Sequence, residues 1–183
     1  MTTYVVLLRG INVGGKNTVS MAALKSLLVE LGYMNVSTYI VSGNVVVESD
    51  KPAARIKAQI ETALTKNFDL DDELIKVLVL SHHQLRSIIE NKPKGFGDEP
   101  GKYHSDVIFL MEISVDDALP IFNPRAGVDA IWPGDGVIYS RRLSAERTKS
   151  RLSAMMASPL YKSMTIRNWN TTTKLLAIAD RDA

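Results

Sequence analysis

Val36-Ser37-Thr38-Tyr39-Ile40-Val41-Ser42-Gly43-Asn44-Val45-Val46-Val47-Glu48 holds two β-rich runs around a short turn. Val36–Val41 and Val45–Glu48 carry the branched and aromatic residues that suit a pleated surface. Ser42-Gly43-Asn44 supplies turn chemistry between them, so the stretch predicts an antiparallel hairpin. Upstream, Leu24, Leu27, Leu28 and Leu31 recur at three and four, which predicts a helix capped by Ser20 and ended at Gly32. Before it, Tyr4–Leu8 is a short apolar strand ended by Arg9-Gly10. Downstream, Pro52 can open a helix with Ile56, Ile60, Ala63 and Leu64 on its inner stripe, and Leu74–Leu80 reads as a strand. The order is β-α-β-β-α-β within about 80 residues.

The second half repeats it. A helix from Ser81 to about Asn91 leads into KPKGFGDEPGKYHS, a loop of Gly, Pro and charges. Strands are expected at Asp106–Met111, Gly127–Trp132, Val137–Ser140 and Met164–Ile166, with helices at Val115–Phe122, Arg147–Met156 and Trp169–Ala179. The fold class expected is therefore α+β: two tandem ferredoxin-like units with antiparallel sheets in the order 4-1-3-2, a linker helix and a C-terminal helix. Unit one is placed at residues 1–80, the linker at 81–104 and unit two at 105–183. A single doubly wound sheet is the alternative, and the tight hairpins argue against its parallel connections.

Gly10-Ile11-Asn12-Val13-Gly14-Gly15-Lys16-Asn17 follows a strand and fits the spacing of a phosphate-binding loop. That chemistry needs a Ser or Thr directly after the Lys to hold magnesium, and a helix that starts at once. Asn17 stands in that place and the expected cap, Ser20, comes later, so a magnesium-nucleotide hydrolase is not supported. A weaker reading survives. In the 4-1-3-2 order the first two strands run the same way, so the loop after Gly10 and the Ser42-Gly43-Asn44 turn leave the sheet at one edge. Arg9, Asn12, Gly14, Gly15, Lys16, Ser42 and Asn44 would then form an anion-binding nest of amides and cations. The same Gly and Asn residues would equally serve left-handed backbone positions in a packed loop.

Arg167-Asn168-Trp169-Asn170-Thr171-Thr172-Thr173-Lys174 is a polar opening for an apolar helix. Asn168 or Asn170 can cap that helix, with Trp169 facing the core, or Arg167, Asn168, Asn170 and Lys174 can bind ligand with Trp169 stacking a base. His82 and His83 would point about 100° apart on a helix, so no metal is expected. Asp116-Asp117 suits a helix first turn. No nucleophile elbow, zinc-protease motif or dinucleotide fingerprint is present.

The 183 residues contain no cysteine, are 45% hydrophobic and carry a formal net charge of +2. Disulfide frameworks, thiolate metal sites and cysteine nucleophiles are excluded by that inventory. No apolar run reaches the ~20 residues of a membrane span and Met1-Thr2-Thr3-Tyr4 lacks a charged leader, so a cytoplasmic location without membrane contact is expected. Charge is uneven: residues 48–140 sum to −6, whereas 141–174 sum to +7. A late basic segment is a footprint for an anionic small molecule or RNA, or simply a set of solvated faces.

YVVLLRGINVGGKNTVSMAALKSLLVELGY, TYIVSGNVVV and RNWNTTTKLLAIA together resemble the bacterial family called domain of unknown function 1697. LRGINVGGKN followed some 30 residues later by SGNV is the most specific part. The resemblance implies a cytosolic bacterial protein of two ferredoxin-like units and no established reaction, substrate or cofactor. It marks Arg9, Asn12, Gly14, Gly15, Ser42, Gly43, Asn44, Arg167, Asn168, Trp169 and Asn170 without giving their roles. Three functions stay open on sequence. The first is a binding module for a phosphate-bearing ligand, nucleotide or single-stranded RNA, at the Gly-rich edge. The second is an enzyme acting on a small anionic metabolite between the units. The third is a non-enzymatic assembly protein that pairs with a second copy.

Overall fold

The computed structural model describes residues 1–71 and 75–181. Alternating burial along β1 (Thr2–Leu8) sets up the first sheet: Val6 and Leu8 face one way into a core, and Val5 and Leu7 are buried on the other face. β1 pairs antiparallel with both β3 (Asn44–Ser49) and β4 (Val77–Ser81), and β2 (Met34–Tyr39) lies at the edge beyond β3. The sheet order is β2-β3-β1-β4. Two helices cover the Val6/Leu8 face, α1 (Met21–Glu30) through Leu24 and Leu28 and α2 (Ala53–Asn67) through Ile56, Ile60 and Leu64.

Ser20 caps α1 by accepting the Ala23 N–H at 3.3 Å. Gly32, at φ +87°, ends it, with Gly32 N donating to Val29 O and Tyr33 N to Leu28 O. This is the left-handed close in which glycine avoids the Cβ penalty. The expected hairpin is present but wider than the tripeptide: Tyr39 and Asn44 are its last pair, and residues 40–43 connect them. The expected strand from Leu74 is found as β4 from Val77, and Leu74 itself lies outside the described residues.

The second sheet has the order β6-β7-β5-β8, from β5 (Tyr103–Leu110), β6 (Asp129–Pro133), β7 (Val137–Leu143) and β8 (Met164–Asn168), all antiparallel. Pro133 sits in the edge strand, where a missing N–H costs no ladder bond. Ile108, Leu110, Ile138 and Met164 form one core with Phe122, Leu152 and Met155. On the opposite face Phe96 meets Tyr139 and Trp169 edge-on, both at 5.2 Å between ring centroids.

Two expectations are corrected here. β5 starts at Tyr103, so Tyr103–Ser105 belong to the sheet and not to the loop, because they pair with Leu143–Arg141 of β7. The expected helix over Arg147–Met156 is two short 3-10 segments, Ser144–Lys149 and Leu152–Ala157, with a third, Pro159–Ser163, following. Asp129 Oδ2 accepts the Arg151 N–H at 2.8 Å, which diverts a donor a helix would need, and Ser150 and Ser158 are extended. The short helix after Ser114 is α4 (Val115–Ala118), followed by a 3-10 turn.

The chain divides into two compact units, Met1–Arg86 with Lys174–Ala183, and Ser87–Thr173. The division passes through α3 (His82–Glu90), within the stretch 81–104, and through α5 (Trp169–Arg181). Within the first unit the Asp180 carboxylate accepts from His82 Nε2 and Arg86 Nη2, which joins the end of α5 to α3. The family of contacts thus assigns the C-terminal end to unit one. Among the described residues no helix is long and apolar enough to cross a membrane.

Gly43 combines φ +81° with a close approach: a Cβ there would lie 2.8 Å from Leu8 Cβ. Gly10, at φ +79°, has nothing within 4 Å of such a Cβ. Gly43→Ala is therefore expected to destabilise by about 2–4 kcal/mol, and Gly10→Ala by only about 1 kcal/mol. Urea unfolding of the two variants measures the difference.

Candidate functional site

The loop after β1 is a small hairpin. Asn12 N donates to Asn17 O at 3.0 Å and Lys16 N to Val13 O at 3.0 Å, and Val13 bridges Lys16. Gly14 and Gly15 form the two-residue tip, with φ +58° and +76°. Both central residues at positive φ make the mirror-image turn whose twist suits a tight hairpin, and glycine takes it without strain.

Asparagines hold the hairpin in place. Asn12 Nδ2 donates to Val19 O at 2.9 Å and to Val41 O at 2.7 Å, and its Oδ1 accepts the Val19 N–H at 2.8 Å. Asn17 Nδ2 donates to Gly10 O, while its Oδ1 accepts from Asp71 N and its own N–H donates to Asp71 Oδ2. Asn44 is fully buried and donates to Tyr39 O at 3.1 Å and Ser42 Oγ at 2.9 Å. Asn12 and Asn17 also adopt positive φ, which asparagine tolerates because its amide bonds locally. The structure does bring the loop and the 42–44 turn to one end of the sheet, since Asn12 reaches Val41 and Gly43 O accepts from Leu8 N. It spends Asn12 and Asn44 on that joint. What faces solvent at the tip is Val13, Gly14, Gly15 and Lys16, with half-buried Arg9 at the base.

The second group of candidates divides in the same manner. Asn168 Oδ1 accepts Thr171 N at 2.8 Å, so Asn168 is the cap of α5. Thr172 Oγ1 donates to Asn168 O and Thr173 Oγ1 to Trp169 O, so two of the three threonines bond back to their own helix. Arg167 is only 7% exposed, with Nη1 donating to Thr165 Oγ1 and Ile166 O. Burial lowers its pKa to about 10. Asn170 and Lys174 are exposed, Asn170 in unit two and Lys174 in unit one.

The basic segment 141–174 is not one surface patch. Arg141 and Arg142 are successive in β7 and lie on opposite faces. The Arg141 guanidinium stacks 4.0 Å from the Tyr103 ring, Lys149 pairs with Glu146, and Arg167 is buried.

Two features escape the sequence motifs. In unit one an open groove of about 520 Å³ runs along α2, flanked by Lys51, Arg55 and Lys66. Lys51 Nζ is already engaged, donating to Gln59 Oε1 at 2.8 Å and to Leu31 O. In unit two a smaller pocket of about 110 Å³ lies between Tyr103, His104 and Ser105 of β5 and Asn168, Trp169 and Asn170, with Gly97 at its wall. A Cβ on Gly97 would collide with the Trp169 indole. Ser105 Oγ is buried there and has no hydrogen-bond partner in the protein, a condition that costs about 1–3 kcal/mol. Beside it, burial pushes the Asp106 carboxyl up, with His104 at 3.0 Å and Arg142 drawing it partly back. No motif marks Ser105; strand alternation could have placed it on the Val107 and Phe109 face, had β5 been read from Tyr103.

The fold and these sites define a two-unit α+β protein with donor-rich loops and small polar pockets. The family model described as "Protein of unknown function (DUF1697)" matches residues 1–139, and the chain belongs to that family. It is similar in structure to the conserved bacterial protein SP0830 from Streptococcus pneumoniae, with 27% identity, a TM-score of 0.81, and coverage of 97% of this chain and 98% of that one. No curated protein matches the chain.

Asp129 supplies a pH test. Burial would raise its pKa, but the Arg151 N–H, the Ser150 hydroxyl, the Arg125 N–H and the Arg142 charge together lower it. A carboxyl lowered on folding stabilises above its unfolded pKa, and that stability is lost as pH falls through the folded value. Asp129→Asn is expected to be less stable at neutral pH and to converge on the wild type in acid. Chemical unfolding between pH 7 and 3 measures this.

Proposed function

We infer that the protein is a binding module for a phosphate-bearing ligand, a nucleotide or single-stranded RNA, held at the Gly14–Gly15–Lys16 tip with Arg9 at its base. The observation that carries this reading is a hairpin braced from inside by Asn12, Asn17 and Asn44, with its two glycines and one lysine exposed at the tip. Pre-set amides beside a cation favour an anion, because little ordering remains to be done on binding. Asp71 is tied at Asn17, at the base of the hairpin and not at its tip. Each unit is read as ferredoxin-like, on the order in which its second, third, first and fourth strands lie side by side. The setting proposed is the cytoplasm, where nucleotides and RNA occur.

Thermal unfolding against phosphate, nucleotides and short RNA tests the reading. A ligand at 100 times its dissociation constant adds about 2.7 kcal/mol, a midpoint rise of about 5–10 °C at this size. Lys16→Ala is expected to abolish the rise. If Arg9 and Lys16 each meet one phosphate of a single strand, log affinity falls with log salt at a slope of about −1.4. No rise with any of these anions would make the hairpin purely structural.

A further inference from the structure

The groove of about 520 Å³ along α2 carries cations where the helix gains nothing from them. The positive end of a helix dipole favours acidic side chains. α2 has none in its first turn and no side-chain cap at Pro52, and Lys51 and Arg55 stand there instead. Among the described residues no carboxylate pairs with Lys51, Arg55 or Lys66, and no Asp or Glu lines the groove. The neighbouring acids are spent elsewhere. Asp50 pairs with the Met1 ammonium at 3.2 Å, and Glu61 accepts the Val77 N–H at 2.9 Å.

One end of the groove is a fixed set of donors. Gln59 Oε1 accepts from both the Tyr33 hydroxyl at 3.0 Å and Lys51 Nζ at 2.8 Å. Its oxygen is thereby occupied, and the Gln59 NH₂ is the group left to offer. Lys51 Nζ also donates to Leu31 O at 3.3 Å and lies 4.9 Å from the centre of the buried Tyr33 ring. An ammonium has three N–H donors, so one remains after these two bonds. Exposed Arg55 adds a second charge, near enough to act on Tyr33: burial raises the pKa of that phenol and Arg55 draws it partly back.

Beyond this end the lining turns small and uncharged, with Ala58, Thr62 and Ala63 along α2. Lys66 follows at the far end, about 16 Å from Arg55 along the helix axis. The volume is in the range that holds a small molecule. Two cations without a carboxylate beside them favour a dianion over a monoanion. A phosphate monoester carries about −1.5 to −2 at neutral pH and has three acceptor oxygens.

We propose that this groove binds a small phosphate monoester, its phosphate held by Lys51, Arg55 and Gln59 and its apolar body lying along Ala58 and Thr62. The site lies wholly in unit one. It shares no residue with the Gly14–Gly15–Lys16 tip and does not rest on the reading given to that tip.

The test is a titration of the intact Lys16→Ala protein with phenyl phosphate, so that a failure at the hairpin and a failure here are separate results. The readout is the NMR signal of the Gln59 side-chain amide, assigned by its loss in Gln59→Glu. Phenyl phosphate is expected to shift that signal to saturation. Inorganic phosphate is expected to bind more weakly, and dimethyl phosphate, a singly charged diester, weaker still. Adding Arg55→Ala is expected to weaken phenyl phosphate about tenfold or more, the loss typical of one hydrogen bond to a charged group. Because it takes a cation from the positive end of α2, the same variant is expected to melt no lower than its parent. No saturable shift with phenyl phosphate, or equal affinity with and without Arg55, overturns the proposal. Dimethyl phosphate binding as tightly as phenyl phosphate overturns the assignment to monoesters, and inorganic phosphate doing so overturns the placement of the body.

Discussion

In each unit one strand, β1 or β5, sits between two antiparallel neighbours and is buried on both faces. Val5, Val6, Leu7 and Leu8 are all inaccessible, as are Val107, Ile108 and Phe109. A strand so enclosed has no freedom of register, since a slip of one residue would exchange its two apolar faces and break both ladders at once. In unit one both candidate sites depend on it. The glycine hairpin leaves the C-terminal end of β1, and α2, along which the basic groove runs, packs on its Val6/Leu8 face. The positions of both sites are consequences of that fixed register.

The asparagines show how polar residues in a motif divide between holding and presenting. Asn12, Asn17 and Asn44 offer the same amide chemistry to a ligand or to the backbone, and here the backbone takes it. A loop of some ten residues without helix or long strand needs local partners for its buried N–H and C=O groups. Short amide side chains at positive φ are suited to that task. The glycines beside them have no side chain to bond with, so the tip stays outward. The family resemblance could mark all these positions and still be silent on which of them brace the loop.

Much of the fold is legible along the chain. The leucine spacing of α1, the Ser20 cap, the Gly32 close and the hairpin around Gly43 are local, and each has a physical signature within one or two turns of backbone. The second helix of unit two misleads for the converse reason. Arg147–Met156 has adequate residues for a helix, but Asp129, some twenty positions earlier, draws off the Arg151 N–H and the segment breaks into 3-10 turns. The start of β5 was hidden in the same way. Tyr103–Ser105 follow a Gly- and Pro-rich loop and become strand only because Leu143–Arg141 lie alongside.

The amino-acid sequence alone determined the α+β class, the antiparallel hairpins, the order of most elements and the family to which the chain belongs, because periodicity, capping and turn chemistry act over short range. Tertiary structure decided the rest. It assigned the end of α5 to the first unit through Asp180, scattered the basic segment over two faces and a buried site, and left Ser105 buried without a partner. These outcomes depend on which distant residues share a face or a ladder, and that information lies in the packing of strands and not in their spacing along the chain.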